Sequence, residues 1–277
     1  MRTIRTLYPG GKSKAVTFSY DDGVNFDRRM VRILNQCGMK GSFNLSSGLL
    51  TGEKGWPTRD KDAMIRYISA EDVAEVYEGH EVAIHGFTHP FWTAIPKELA
   101  LQEMLQDKIR LEQLVGYPVR GMAYPFFSYN EDIREIAKAL GIRYARGSGR
   151  EHYFQLPVDP LLFFATCHHN DPDLAERAAQ FVKEGFNTNA IFCLSGHSFE
   201  FANDHNWQVL EDFCDFIKGR EEIWYATCID IFDYIAATKA LRYTSDCSIV
   251  QNPTALEIWL LTDHKTISVK PGETVRL

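Results

Sequence analysis

The chain has 277 residues, 45% of them hydrophobic and 24% charged, a balance that suits a soluble globular protein with one barrel-sized domain and a small addition. Its formal charge of −7 excludes the basic surface of a nucleic-acid-binding domain. No stretch reaches the ~18 apolar residues of a membrane span, and no apolar segment near the N-terminus suits a signal peptide. The expectation is a cytoplasmic protein.

In chain order, apolar runs predict strands over 16–20, 41–44, 81–84, 119–124, 142–146, 161–166, 190–195 and 223–227. Helical periodicity fills the gaps over 26–37, 70–77, 97–115, 131–140, 172–184 and 207–218. Asn130 stands where an N-cap is needed, and Asp171-Pro172 reads as a cap followed by proline at the first helical position. Roughly eight strands alternating with about seven helices predict a distorted (β/α) barrel over residues 1–240. Residues 46–68 are a long polar insertion, readable as a substrate-contacting loop or as surface decoration. Residues 241–277 change to short β-type runs at 248–250, 257–261 and 266–269, which predict a small antiparallel appendage. The six cysteines are scattered without a C-x-x-C pair, a spacing that resembles neither a disulfide framework nor a zinc knuckle.

Three predicted strands end in side chains that bind metals or move protons. The first runs into Asp21-Asp22-Gly23, the third into His85-Gly86-Phe87-Thr88-His89, and the seventh into Ser195-Gly196-His197. Strands that all finish this way describe a barrel with its active site on one rim. Two histidines four apart plus a carboxylate can hold one zinc and keep a position open for water. Adjacent aspartates on a strand point to opposite faces, but at a strand end turning through Gly23 they can diverge around one centre. Asp-Asp-Gly is also a common turn. His197 can carry a proton at working pH and give it to a leaving group. Cys167-His168-His169 ends another strand run and offers pocket lining or a second metal site.

Thr17-Phe18-Ser19-Tyr20-Asp21-Asp22-Gly23, then His85-Gly86-Phe87-Thr88-His89-Pro90, Met122-Ala123-Tyr124-Pro125-Phe126-Phe127 and Leu194-Ser195-Gly196-His197, resemble motifs of the polysaccharide deacetylase family (carbohydrate esterase family 4, the NodB homology domain). The resemblance runs from about residue 15 to 238. It implies a divalent metal, zinc first with cobalt or nickel as alternatives, on Asp22, His85 and His89. Asp21 would be the general base and His197 the general acid, with the backbone N–H of Phe126 on the oxyanion. The family's third motif opens with an arginine that pairs with the base, and Ala123 stands there; Arg146, near the end of the next strand, is the preferred substitute. The family's fourth motif, an aspartate and a tryptophan that tune the acid histidine, has only Asp230 and Asp171 as candidates for the aspartate. The aromatic rim (Phe91, Trp92, Phe126, Phe127, Tyr129) supplies candidate substrate contacts at Trp92, Phe127 and Tyr129. Expected, then, is removal of acetyl groups from a saccharide. The alternatives are hydrolysis of a small non-sugar amide, or an inactive carbohydrate-binding relative; a homo-oligomer stays open.

Overall fold

A computed structural model of the chain describes residues 3–147, 153–185, 188–263 and 265–277. Nine strands form its central sheet: β1 (Lys14–Asp22), β2 (Gly41–Leu45), β3 (Glu81–Ile84), β4 (Gly121–Ala123), β5 (Tyr144–Gly147), β6 (Phe163–Phe164), β7 (Cys167–His168), β8 (Ala190–Gly196) and β9 (Ile223–Tyr225). All pair in parallel, in the order β7-β8-β1-β2-β3-β4-β5-β6. β9 joins the lower half of β1, from Lys14 to Val16, while β2 takes the upper half from Phe18 onward. The sheet curls into the expected distorted (β/α) barrel. Its two edge strands, β6 and β7, are separated in sequence only by Ala165 and Thr166. The single run expected over 161–166 is therefore a short 3-10 turn (Pro160–Leu162), then one strand on each side of the barrel's seam.

Helices α1 (Asp27–Gln36), α2 (Val73–Val76), α3 (Lys97–Val115), α4 (Glu131–Ala139), α5 (Leu174–Lys183), α6 (Ser198–Asn203), α7 (Trp207–Ile217) and α8 (Cys228–Lys239) complete the fold. Strand alternation decides what each residue of β1 faces. Val16, Phe18 and Tyr20 join the outer core with α1 and α7, while Ala15 joins the inner core with α8. Asn130 caps α4, accepting from Ile133 N at 3.0 Å. Asp171 does not cap α5, which begins later; its carboxylate accepts from His168 N at 2.7 Å.

The barrel floor is closed by α8. Cys228 N donates to Ser42 Oγ at 2.9 Å, Ile229 N donates to Glu81 Oε2 at 2.9 Å, and Phe232 stacks on Tyr144. Below it the C-terminal residues form antiparallel strands, as expected, but one of their sheets draws a strand from the other end of the chain. Ile4–Leu7 pairs with Ile258–Thr262, which pairs with Lys265–Val269. Leu260 and Val269 share a buried cluster with Ile231 and Phe232 of α8. The insertion carries a hairpin, Gly55–Pro57 with Met64–Arg66, whose tip is tied to the end of α6 by ion pairs Arg59–Asp204 (2.8 Å) and His205–Asp60 (2.9 Å). Among the described residues no helix is long and apolar enough to cross a membrane.

Candidate metal centre and its acid–base pair

Every motif residue sits at the C-terminal rim of the barrel. Asp21 continues the inward-facing row of β1 and is 7% exposed. Asp22 would point outward by alternation, but its φ of 82° breaks the strand, and Gly23 follows at φ 73°. Aspartate tolerates the left-handed region better than most residues. That single backbone reversal lets two adjacent carboxylates meet in one cleft. His85 follows β3 directly. Its N–H is held by Asp107 Oδ2 on α3 at 3.0 Å, and its Nδ1 donates to Ala123 O at 3.0 Å. A carbonyl only accepts, so Nδ1 carries the proton and Nε2 is left as a lone pair.

That lone pair meets others. His85 Nε2 and His89 Nε2 are 3.1 Å apart, and Asp22 Oδ1 lies 3.8 and 3.6 Å from them. Ligands at about 2.0–2.2 Å from a tetrahedral ion would be separated by roughly 3.3–3.6 Å. The three separations bracket that range to within about 0.2 Å, so the atoms could hold one ion after small shifts. Burial and the neighbouring His85 ring hold His89 down at about 4, so its nitrogen is free to ligate.

Asp21 occupies one side of this centre. Burial would raise its pKa, but the Arg146 guanidinium, which donates to both carboxylate oxygens, holds it well below the usual carboxylate range. Asn44 Nδ2 donates to Asp21 Oδ1 at 2.8 Å, and Arg146 Nε donates to Ser19 Oγ at 2.9 Å. β5 thus delivers an arginine to the position that Ala123 of β4 leaves without one.

His197 borders the same cluster, with Nε2 3.9 Å from Asp22 Oδ2. It is the N-cap of α6, whose third residue, Glu200, accepts from His197 N at 3.0 Å and lies 3.4 Å from Nδ1. Burial opposes charge on His197, yet Glu200 together with Asp22 and Asp21 raises it to about 9. Glu200 is itself buried against ionisation, but His168 and His197 pull it far below the ordinary range. Asp27 of α1 steadies the same turn by accepting from Ser198 Oγ and, at 2.6 Å, from Tyr77 Oη.

His168, His169 and Glu200 also cluster, with His168 Nε2 and His169 Nε2 at 3.1 and 3.4 Å from Glu200 Oε2. A proton inventory argues against a second ion. Asn170 N donates to His168 Nδ1 at 3.1 Å, so the neutral ring carries its proton on Nε2, which donates to Glu200. The cluster is a carboxylate hub beside His197. Neither Asp230 nor Asp171 approaches His197 in this way: Asp230 caps α8 at the barrel floor through Thr227, and Asp171 binds the His168 backbone.

The aromatic rim divides. Phe126 and Phe127 are 51% and 43% exposed and line the cleft, which has a volume of ≈ 530 Å³. Trp92 is buried at 1% exposure, packed over the Gly86 turn and against Tyr124, so it is core and not a substrate contact. Tyr129 is half-buried against Tyr124, 5.0 Å between ring centroids, and does not line the cleft. A cavity of similar size, ≈ 560 Å³, lies between α5 and α7 behind His169 and holds none of the motif side chains.

Sequence reasoning missed Glu200, Asp107, Asp27 and Asn44. Only Glu200 left a signal, since a polar cap with a glutamate three residues on is a capping-box pattern. The others act across the fold and have no local spacing.

A family model described as polysaccharide deacetylase matches residues 9–145, about half of the chain. It spans Asp21, Asp22, His85, His89 and Phe126 and stops before Arg146 and His197. Among solved structures, two proteins assigned as polysaccharide deacetylases share the fold. One from Pseudomonas aeruginosa PAO1 is 14% identical, covers 82% of this chain and 92% of its own, and has a TM-score of 0.63. One from Mycobacterium smegmatis is 16% identical, covers 85% and 94%, and has a TM-score of 0.58. A family 4 carbohydrate esterase from Streptomyces lividans, solved with acetate, is 11% identical, covers 76% and 91%, and has a TM-score of 0.50. At these identities the likeness speaks for the fold. The matched model supplies the rest: this chain belongs to the polysaccharide deacetylase family (carbohydrate esterase family 4).

Proposed function

We propose that the protein is a metal-dependent hydrolase that removes acetyl groups from nitrogen or oxygen of a small or oligomeric saccharide. One observation carries the reading: Asp21, paired with the Arg146 guanidinium, and His197, backed by Glu200, share one cleft with the converging ligand atoms of Asp22, His85 and His89. Hydrolysis needs one group to take a proton and another to give one within the same cycle. Asp22, His85 and His89 would hold the ion, zinc first, with cobalt or nickel suiting the same donors. When bound, such an ion acidifies water and polarises an acyl carbonyl.

The remaining roles belong to the chain. Asp21 takes a proton from the attacking water, and Arg146 and Asn44 aim it. The backbone N–H of Phe126 assists the developing oxyanion. His197 gives its proton to the departing amine or alcohol as the bond to the acyl carbon breaks. Glu200 keeps that proton on the ring and keeps Nε2 turned to the cleft.

The test is metal content after chelator stripping and zinc reloading, read beside acetate release from acetylated oligosaccharides. Wild type should retain one ion per chain and release acetate, and His89→Ala should lose both. Asp21→Asn should keep the ion and lose at least about 10²-fold in kcat, the usual worth of a general base. An Asp21→Asn enzyme at near-full rate would overturn the base assignment. A wild type that holds no ion would overturn the reading.

A further inference from the structure

With the proposed acid, base and ion ligands set aside, the described residues of the cleft leave little polar chemistry to read the rest of a substrate. Among the described residues lining it, Arg146 is committed to Asp21 and Ser19. Tyr124 Oη donates to Leu161 O at 3.0 Å, and Ser195 Oγ donates to Cys167 O at 3.4 Å. His168 is held between the Asn170 N–H and Glu200. A surface that reads sugar hydroxyls one by one would present free amides, carboxylates or guanidinium groups. This one presents phenylalanine.

The arrangement of those rings is specific. Phe126 stacks on Phe91 with centroids 3.9 Å apart and planes 6° from parallel, and meets the His89 ring edge-on at 4.4 Å. Both phenylalanines are about half exposed, 51% and 52%. Phe126 and Phe127 have φ of 52° and 57°, a region that bulky residues seldom hold. A turn that needed only its shape would use glycine or asparagine. Strain kept at the edge of a cleft is a reason to ask what it presents. Here it carries an aromatic ring out to solvent beside an ion ligand.

We infer that Phe126, braced by Phe91, is the specificity-determining residue of the cleft, and that it takes substrates whose acylated nitrogen or oxygen is borne on a ring lying flat against this pair. The inference rests on the deacylation reading above and names its substrate class. The C–H face of a pyranose and the face of an aromatic ring share this chemistry; an acyclic amide lacks it.

The experiment uses zinc-loaded full-length enzyme and three substrates: a di-N-acetylglucosamine, 4-nitroacetanilide, and ringless N-acetylethanolamine. Phe126→Asn removes the ring with a residue type at home in the left-handed region, and Phe91→Ala removes only the brace. The expected result is a five- to tenfold fall in the ratio of ring-bearing to ringless kcat/KM in both variants, the scale of one ring stack, carried by KM. A fall confined to the disaccharide assigns the platform to sugars, and one confined to the anilide assigns it to aromatic amides. Either supports ring stacking. Unchanged ratios in both variants, with wild type turning over, overturn the inference and leave the proposed reaction standing. A wild type that holds its ion yet hydrolyses none of the three overturns the proposed reaction, and this inference with it.

Discussion

Glu200 illustrates how much a single side chain can settle at the scale of a residue. Its Oε2 faces the His197 backbone N–H and the imidazoles of His168, His169 and His197. Removing it should matter most when the leaving group needs a proton. Glu200→Ala is expected to lose about 10²-fold in kcat on an amide and several-fold less on 4-nitrophenyl acetate, whose phenolate departs without help. Equal losses on both would reduce Glu200 to a structural cap. The convergence of Asp21, Asp22, His85, His89 and His197 was legible in the sequence because each lies at or just past the end of an apolar run, so strand direction brings them to one rim. What convergence hid was the backbone of Asp22, whose reversal no periodicity announces, and the partners Asp107 and Asp27, which reach the site from helices. The arginine was recoverable from alternation along the fifth strand. Trp92 was misread because an aromatic next to a motif can as easily support the turn as face the substrate.

At the scale of elements, α8 shows where helical period fails as a signal. It is apolar on most sides because the barrel lies above it and the appendage below, so no polar stripe marks it. The carboxyl group it meets is Glu81, which is buried and accepts from Ile229 N, Ser42 Oγ and Tyr144 Oη (2.9 Å). Burial pushes Glu81 up to about 8 from an ordinary 4.5. The folded state therefore holds a proton that the unfolded chain releases above about pH 4.5. Stability from this group is fully present below that pH and lost as the pH rises through about 8, at no more than about 1.4 kcal/mol per pH unit. Glu81→Gln should remove the slope. Urea midpoints at pH 5, 7 and 9 should converge on wild type at the acid end and exceed it at the alkaline end. Parallel curves would mean that Glu81 stays ionised in the fold. Gly196 makes a different element-level demand: a Cβ there would lie 2.2 Å from His169 Nδ1, so Gly196→Ala should displace the histidine cluster and destabilise the rim.

The whole molecule is more tightly joined than a boundary near residue 240 suggests. The change of pattern after Tyr243 was legible as short strands. That their sheet would enlist Ile4–Leu7 was not, because antiparallel partners 252 to 258 residues apart leave no trace in local spacing. Tyr234 Oη of α8 donates to Leu7 O at 2.8 Å and accepts from Trp259 N at 3.0 Å, tying floor, the Ile4–Leu7 strand and appendage at one atom. Truncation after residue 240 should leave Ile231, Leu7 and Tyr8 uncovered and yield aggregated protein. A soluble, cooperatively melting 1–240 fragment would show the barrel to be an independent unit.

The seam of the barrel has a consequence of its own. Its two sheet margins are strands from one short stretch, joined through Ala165 and Thr166, and Thr166 N also donates to Cys193 O at 2.9 Å. The wall is thus continuous across the seam through peptide bonds, and opens there only if the short β5–β6 or β7–β8 ladder is lost. An unrolled sheet would offer two naked margins for other chains to add to. Two buried residues acting as a covalent hasp deny them that template, and a chain nicked or permuted between Ala165 and Thr166 would lose the protection first.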